Sequence, residues 1–318
     1  MNIKGYSLLE LMIAMVVSLF LLTGLISVFT NVRATTAETT AAGMLQENGR
    51  FAVSVLSNEL LRAGFLGEST TIQQTQQFTQ IPVAINANKD CIGDGVNNAS
   101  FPNTDGQFRM LWGATATTIS PINCISDAKI GSDILQIKRV LAQPIDEADI
   151  QATEYYIKAN LGTGAMFKGS SPVPNLDDAT IWQYQHHVYY IKDETLSGQV
   201  IPVLMHGRLD NDEMVFEPMI DGIENIHFMY GVDTDGDDVV NVFLSAANMP
   251  MNFWDQENGI RIIAARIFVL VRDIQADNNY RNTNTYVMGD SSVTVDDNYR
   301  RVLFNSTVNL FNSGVQRW

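Results

Sequence analysis

The sequence predicts an α+β fold: a long N-terminal helix, membrane-spanning in its first half, whose second half packs on an antiparallel β-sheet domain. Three observations predict it. No charged residue occurs between Glu10 and Arg33, and the 22 residues Leu11–Val32, as a helix rising about 1.5 Å per residue, reach roughly 33 Å, enough to cross a hydrocarbon core of about 30 Å. Beyond it, Met44, Leu45, Phe51, Val55, Leu56, Leu60 and Leu61 recur at three-, four- and seven-residue spacings, the period of an amphipathic helix. The rest of the chain carries strand-like runs with no helix-length periodic segment between them, which favours an antiparallel sheet over βαβ units.

Taken in order, the apolar run and the amphipathic stretch read as one helix of roughly 55 residues. Gln46, Glu47, Arg50, Asn58, Glu59 and Arg62 fill its polar positions, Gly64 ends it, and Gly43 and Gly49 are soft points. From Ser69 to Lys129 the composition turns to Thr, Gln, Asn, Gly and Pro, the signature of a loop-rich, variable region. It contains both cysteines of the chain, Cys91 and Cys124. Neither stands near a second cysteine or a histidine at zinc spacing. A disulfide between them is expected, stabilising the fold by at most about 4 kcal/mol in the chain-entropy model; two free buried thiols are the alternative.

Strands are expected at Asp133–Val140, His187–Lys192, Val200–Met205, Met214–Pro218, Ile226–Tyr230, Ile260–Arg272 and Arg301–Leu310. In Ile260–Arg272 a continuous apolar run leads into alternating Ile267, Val269 and Val271, as suits a central strand facing the N-terminal helix.

The start of the chain carries a more specific signal. In Lys4-Gly5-Tyr6-Ser7-Leu8-Leu9-Glu10 a small residue precedes the apolar run instead of following it, the reverse of an ordinary secretory signal. This stretch resembles the class III signal of type IV prepilins and type II secretion pseudopilins. The resemblance implies cleavage between Gly5 and Tyr6 by a prepilin peptidase, N-methylation of Tyr6 and retention of the helix. Tyr6 departs from the family's usual phenylalanine. Glu10 becomes the fifth mature residue. A carboxylate inside a membrane helix costs about 2.5–3.5 kcal/mol on insertion scales; the family implies that the cationic amine of a neighbouring subunit offsets this as subunits enter a filament. The plainer reading is that Glu10 snorkels to the cytoplasmic interface. Leu45-Gln46-Glu47-Asn48-Gly49-Arg50-Phe51, Leu60-Leu61-Arg62-Ala63-Gly64-Phe65, Gly222-Ile223-Glu224-Asn225-Ile226 leading to Tyr230-Gly231-Val232-Asp233, and the tail Tyr299–Leu310 resemble PilW-type minor pilins, with similar pieces in J-type pseudopilins. The implied division is a leader at 1–5, a membrane helix half at 6–33, an amphipathic half at 34–64 and a periplasmic β-rich domain at 65–318, whose variable region, 69–129, the disulfide staples.

Composition narrows the function classes. The formal net charge is −15, which disfavours nucleic acid as a partner, since phosphate binding draws on Lys and Arg; Arg300-Arg301 is the clearest basic pair and reads as surface charge. Asp233-Thr234-Asp235-Gly236-Asp237-Asp238 sets three carboxylates at alternate positions around a glycine, where Asp233, Asp235 and Asp237 could converge on calcium. It departs from the EF-hand pattern at the sixth and twelfth positions, Asp238 and Leu244, and an Asx-stabilised acidic turn is the competing reading. His186 and His187 point to opposite faces of a strand, and His206 and His227 stand alone in the sequence. Tyr155, Tyr156, Trp182, Tyr184, Tyr189 and Tyr190 suit core packing better than a carbohydrate or adhesive surface. No nucleophile elbow, phosphate loop or HExxH pattern is present, so an enzyme is not expected and no cofactor is called for apart from the calcium considered above. The resemblance implies a minor pilin priming a type IV pilus at or near its tip, with a type II secretion pseudopilin or a tip adhesin as alternatives. Its implied partners are other minor pilins, the major pilin, the prepilin peptidase and the inner-membrane assembly platform. It implies a single-pass protein of the bacterial inner membrane, later in the fibre or its tip.

Overall fold

A computed structural model describes residues 7–68, 74–196 and 198–312. The chain divides into two units, 1–47 and 48–318. The long helix α1, Leu8–Arg62, spans 55 residues and belongs to both. In the first unit the large apolar side chains from Leu8 to Val32 are exposed, as expected of a surface that faces lipid. Ser18 Oγ donates to the Met15 carbonyl and Thr23 Oγ1 to that of Leu19, so these two hydroxyls bring no unpaired donor into an apolar medium.

In the second unit, Ala52, Leu56 and Leu60 are fully buried, one stripe at four-residue spacing. Gly49 continues the stripe. The sequence marked it as a soft point, but its role is steric: the Phe304 ring lies where a Cβ would stand. The helix stops where Gly64 takes a left-handed φ of +73°, a conformation glycine adopts without strain, and its N–H donates to the Lys138 carbonyl at 3.2 Å.

After α1 come β1 (Phe78–Gln80), β2 (Leu111–Thr115), β3 (Asp133–Ile145), β4 (Tyr155–Ala159), β5 (Gly164–Lys168), β6 (Thr180–Leu196), β7 (Gln199–Asp210), β8 (Glu213–Asp221), β9 (Ile223–Asp233), β10 (Val242–Ser245), the short helix α2 (Met251–Trp254), β11 (Arg261–Arg272), β12 (Thr285–Met288), β13 (Ser291–Thr294) and β14 (Arg301–Asn309). The first eight strands form one sheet, in the order β1-β5-β4-β6-β3-β2, with β7 on β6 and β8 on β7. This branching is possible because β6 is 17 residues long: residues 180–184 pair with β4 and residues 187–196 with β7. A four-stranded sheet, β10-β9-β11-β14, and the hairpin β12-β13 complete the unit. Pairing is antiparallel throughout except for β1 with β5, which is parallel. The fold is the α+β, pilin-like arrangement: a long N-terminal apolar helix and a mostly antiparallel β domain.

All seven expected strands lie within or across observed ones, and β11 is interior to its sheet, with Ile267, Val269, Leu270 and Val271 fully buried. Tyr155, Tyr156, Trp182, Tyr184, Tyr189 and Tyr190 are all buried and pack the core. Between the cysteines, which form the Cys91–Cys124 disulfide, order comes from side chain-to-backbone hydrogen bonds. Asn97 Oδ1 accepts from the N–H groups of Asn103 and Thr104, each at 3.0 Å, and Asp90 accepts from the Ser100 N–H and hydroxyl. Such local bonds replace ladder pairing where the sequence offers no alternation.

Candidate functional site

Gly5 and Tyr6, where cleavage is expected, lie outside the described residues. The residues just after them do not. Ser7 precedes the first helical residue, Glu10 Oε2 accepts from the Ser7 N–H at 2.9 Å, and the Ser7 hydroxyl accepts from the Glu10 N–H at 3.2 Å. This reciprocal pair is a capping box, which satisfies two otherwise orphaned donors at the helix start. The S-x-x-E spacing was visible in the sequence, so Glu10 has a structural use as well as the intersubunit one implied by the resemblance. Among the described residues α1 is the one helix long and apolar enough to cross a membrane.

The acidic segment closes the β9–β10 hairpin. One ligand atom each from Asp233, Asp235 and Asp237 lies within 4.8 Å of the others. Asp235 and Asp237 are exposed, whereas Asp233 is fully buried. Its carboxylate accepts from the N–H groups of Asp235, Gly236 and Asp238 and from Arg261 Nη2 at 2.6 Å. Burial opposes ionisation, but these four donors outweigh it and hold Asp233 at about 2. Arg261 also pairs with Asp238 at 2.6 Å. A cation could be compatible with this loop only by competing with the guanidinium for Asp233.

The sheet domain contains ionic clusters the sequence did not reveal. Glu59, a presumed polar position of α1, is buried and accepts from Arg139 Nη2 at 2.8 Å and from His187 Nδ1 at 3.0 Å, tying helix to sheet. Burial disfavours the charged carboxylate, but the hydrogen bonds from His187 and Arg139 dominate and lower Glu59 to about 2. His206 lies beside His187, ring centroids 4.7 Å apart, and stacks on Tyr189; burial first, then the charge of His187, lowers it to about 4. These histidines share a neighbourhood because β6 and β7 pair Tyr189 with His206, a register invisible from sequence spacing. Arg300 and Arg301 are not the surface pair expected. Arg301 is buried against Glu224 and Asp297, and Arg300 bonds Asp277 at 2.9 Å and lies over the Tyr280 ring.

A long apolar helix opening on a capped glutamate and running into a mostly antiparallel β domain defines a pilin-like protein. Residues 1–26 match the family model of the prokaryotic N-terminal methylation motif, and residues 188–312 match that of type IV pilus-assembly protein W. The two matches are those of a PilW-type pilin and point to a structural component related to type IV pili. The methylation motif and the single apolar helix fit an anchor in the inner membrane. No curated protein and no solved structure matches the chain.

Proposed function

We propose that this chain primes assembly of a type IV pilus, at or near the tip, by joining other minor pilins in the inner membrane before the major pilin is added. In this reading the prepilin peptidase removes residues 1–5, Tyr6 becomes the N-methylated terminus, residues 6–33 remain in the bilayer, and residues 34–64 lead into the domain 65–318 on the periplasmic side, with 69–129 its variable region. The carrying observation is Glu10, the sole acid between Ser7 and Val32, at the start of a membrane-length helix in a chain whose C-terminal part matches the pilus-assembly family. Pairing with a neighbour's amine would offset burial of both charges. No cofactor enters this role. The test is a Glu10→Ala strain: the protein is expected to be cut, inserted and stable, yet to co-purify poorly with the other minor pilins and to leave few surface pili. Normal recruitment and piliation would remove Glu10 from assembly.

A further inference from the structure

His227 on β9 is held from both sides by acids belonging to different parts of the domain. Its Nδ1 lies 3.0 Å from Asp133 Oδ2 at the start of β3, and its Nε2 lies 2.9 Å from Asp290 Oδ1 in the turn between β12 and β13. A neutral imidazole has one N–H, so only the doubly protonated ring can donate to both carboxylates. Neither acid is free to turn away. Asp133 accepts from the Thr115 hydroxyl and the Phe228 N–H, and Asp290 accepts from the Ser245 hydroxyl at 2.7 Å and from Asn248 Nδ2 at 3.0 Å. The site is buried on the sheet side, where the His227 side chain is 5% and that of Asp133 1% exposed, and opens at Asp290, 36% exposed.

We propose that His227 is a proton-operated clasp: as imidazolium it fastens the tip of the β12–β13 hairpin and the 245–248 turn to the two sheets, and on losing its proton it releases them together. Deprotonation leaves a ring lone pair facing a carboxylate oxygen and removes the one cation paired with two acids, which is costly in a partly desolvated site. The remaining groups around the ring supply no substitute charge. β11 presents Phe268, Arg266 on the same strand lies over Phe243, and Tyr230 of β9 is a buried phenol whose ionisation burial and Asp133 both oppose. The direction of titration agrees: burial alone would lower His227, yet hydrogen bonds and charge from Asp133 and then Asp290 raise it above its ordinary value of 6.5. The clasp is therefore complete below about pH 6.5 and is lost as pH rises through the elevated His227 titration.

The release has a defined consequence. Ala246, Ala247 and Met249 form one wall of a groove of about 690 Å³ whose other wall includes Trp112, Thr117 and Pro121. The turn that Asp290 holds through Ser245 and Asn248 carries that first wall, so the proton on His227 sets whether it is fixed.

Hydrogen exchange of the full-length chain in detergent, followed by mass spectrometry and corrected for intrinsic rates, tests this. Between about pH 6 and about pH 9, protection of 286–292 and 245–249 is expected to fall together by roughly tenfold, the order of effect of losing one hydrogen bond to a charged group, while β11 keeps its protection. His227→Gln, with a single amide donor group, is expected to be loose at both pH values, and Asp290→Asn to lose the pH response without loss of the fold. Unchanged protection in the wild type, an equal loss in β11, or a pH response that persists in Asp290→Asn would overturn the clasp; the wild-type profile decides even if His227→Gln does not fold.

Discussion

The Phe304 ring of β14 occupies the space over Gly49 of α1 where any side chain would have to stand. Helix propensity alone says that Gly49→Ala should stabilise an interior helical position by about 1 kcal/mol. The contact reverses the sign, because a Cβ forces the ring off its seat, and overpacking of this kind costs about 1–3 kcal/mol. Thermal unfolding should place Gly49→Ala below the wild type, and Phe304→Leu in the same background should recover much of the difference. A higher midpoint for Gly49→Ala would show that Phe304 swings aside freely.

Glu59 carries the second prediction. Hydrogen bonds from His187 and Arg139 hold its carboxyl at about 2 in the fold against an ordinary value of 4.5, a difference worth about 3 kcal/mol. That stability is fully present above pH 4.5 and is lost as pH falls through about 2. Glu59→Ala, which leaves Arg139 buried without its acid, should cost about 3–5 kcal/mol at neutral pH, and Glu59→Gln should flatten the acid limb of the denaturation curve. Equal acid sensitivity in the wild type and Glu59→Gln would reject the assignment.

Cys91→Ser should lower the stability of the chain by about 2–4 kcal/mol and reduce its steady-state level without changing leader removal. Recovery of Cys91 and Cys124 as free thiols on non-reducing peptide mapping of exported protein would contradict the bond.

Processing between Gly5 and Tyr6 predicts that protein isolated from cells begins with a methylated Tyr6, and that Gly5→Glu accumulates as full-length precursor. A mature terminus beyond the apolar run, seen by mass spectrometry, would refute it.

Calcium should produce no saturable heat on titration into the full-length protein, because Asp233 is already committed to Arg261 and three backbone donors. Saturable binding that disappears in Asp237→Asn would instead establish the ion at this loop.

The helix and the long apolar strands were legible because their periodicity is local. Leu56 and Leu60 announce a buried stripe, and Val269 and Val271 a buried strand, from residues a few positions apart. β4 and β5 were not read, because Tyr155-Tyr156-Ile157 and Met166-Phe167 are too short to show a period. β12 and β13 hid in a polar stretch whose strand character comes from pairing with each other. The ionic sites are illegible for another reason: Glu59 and Arg139 are 80 residues apart, and His227 and Asp290 are 63 apart, so only the packing of helix and hairpin against the sheets brings them together. The Ser7–Glu10 pair is local, and its S-x-x-E spacing is plain in the sequence.

That capping box changes what a neighbouring subunit would meet. A carboxylate already held by the Ser7 N–H of its own chain comes to a second donor by exchange, so the attraction available for docking is the difference between two bonds and not the whole of one. In the assembly role proposed for Glu10, a subunit in the bilayer would keep its acid hydrogen-bonded, and an encounter with the wrong neighbour would be undone at little cost, because the helix end would take its own carboxylate back.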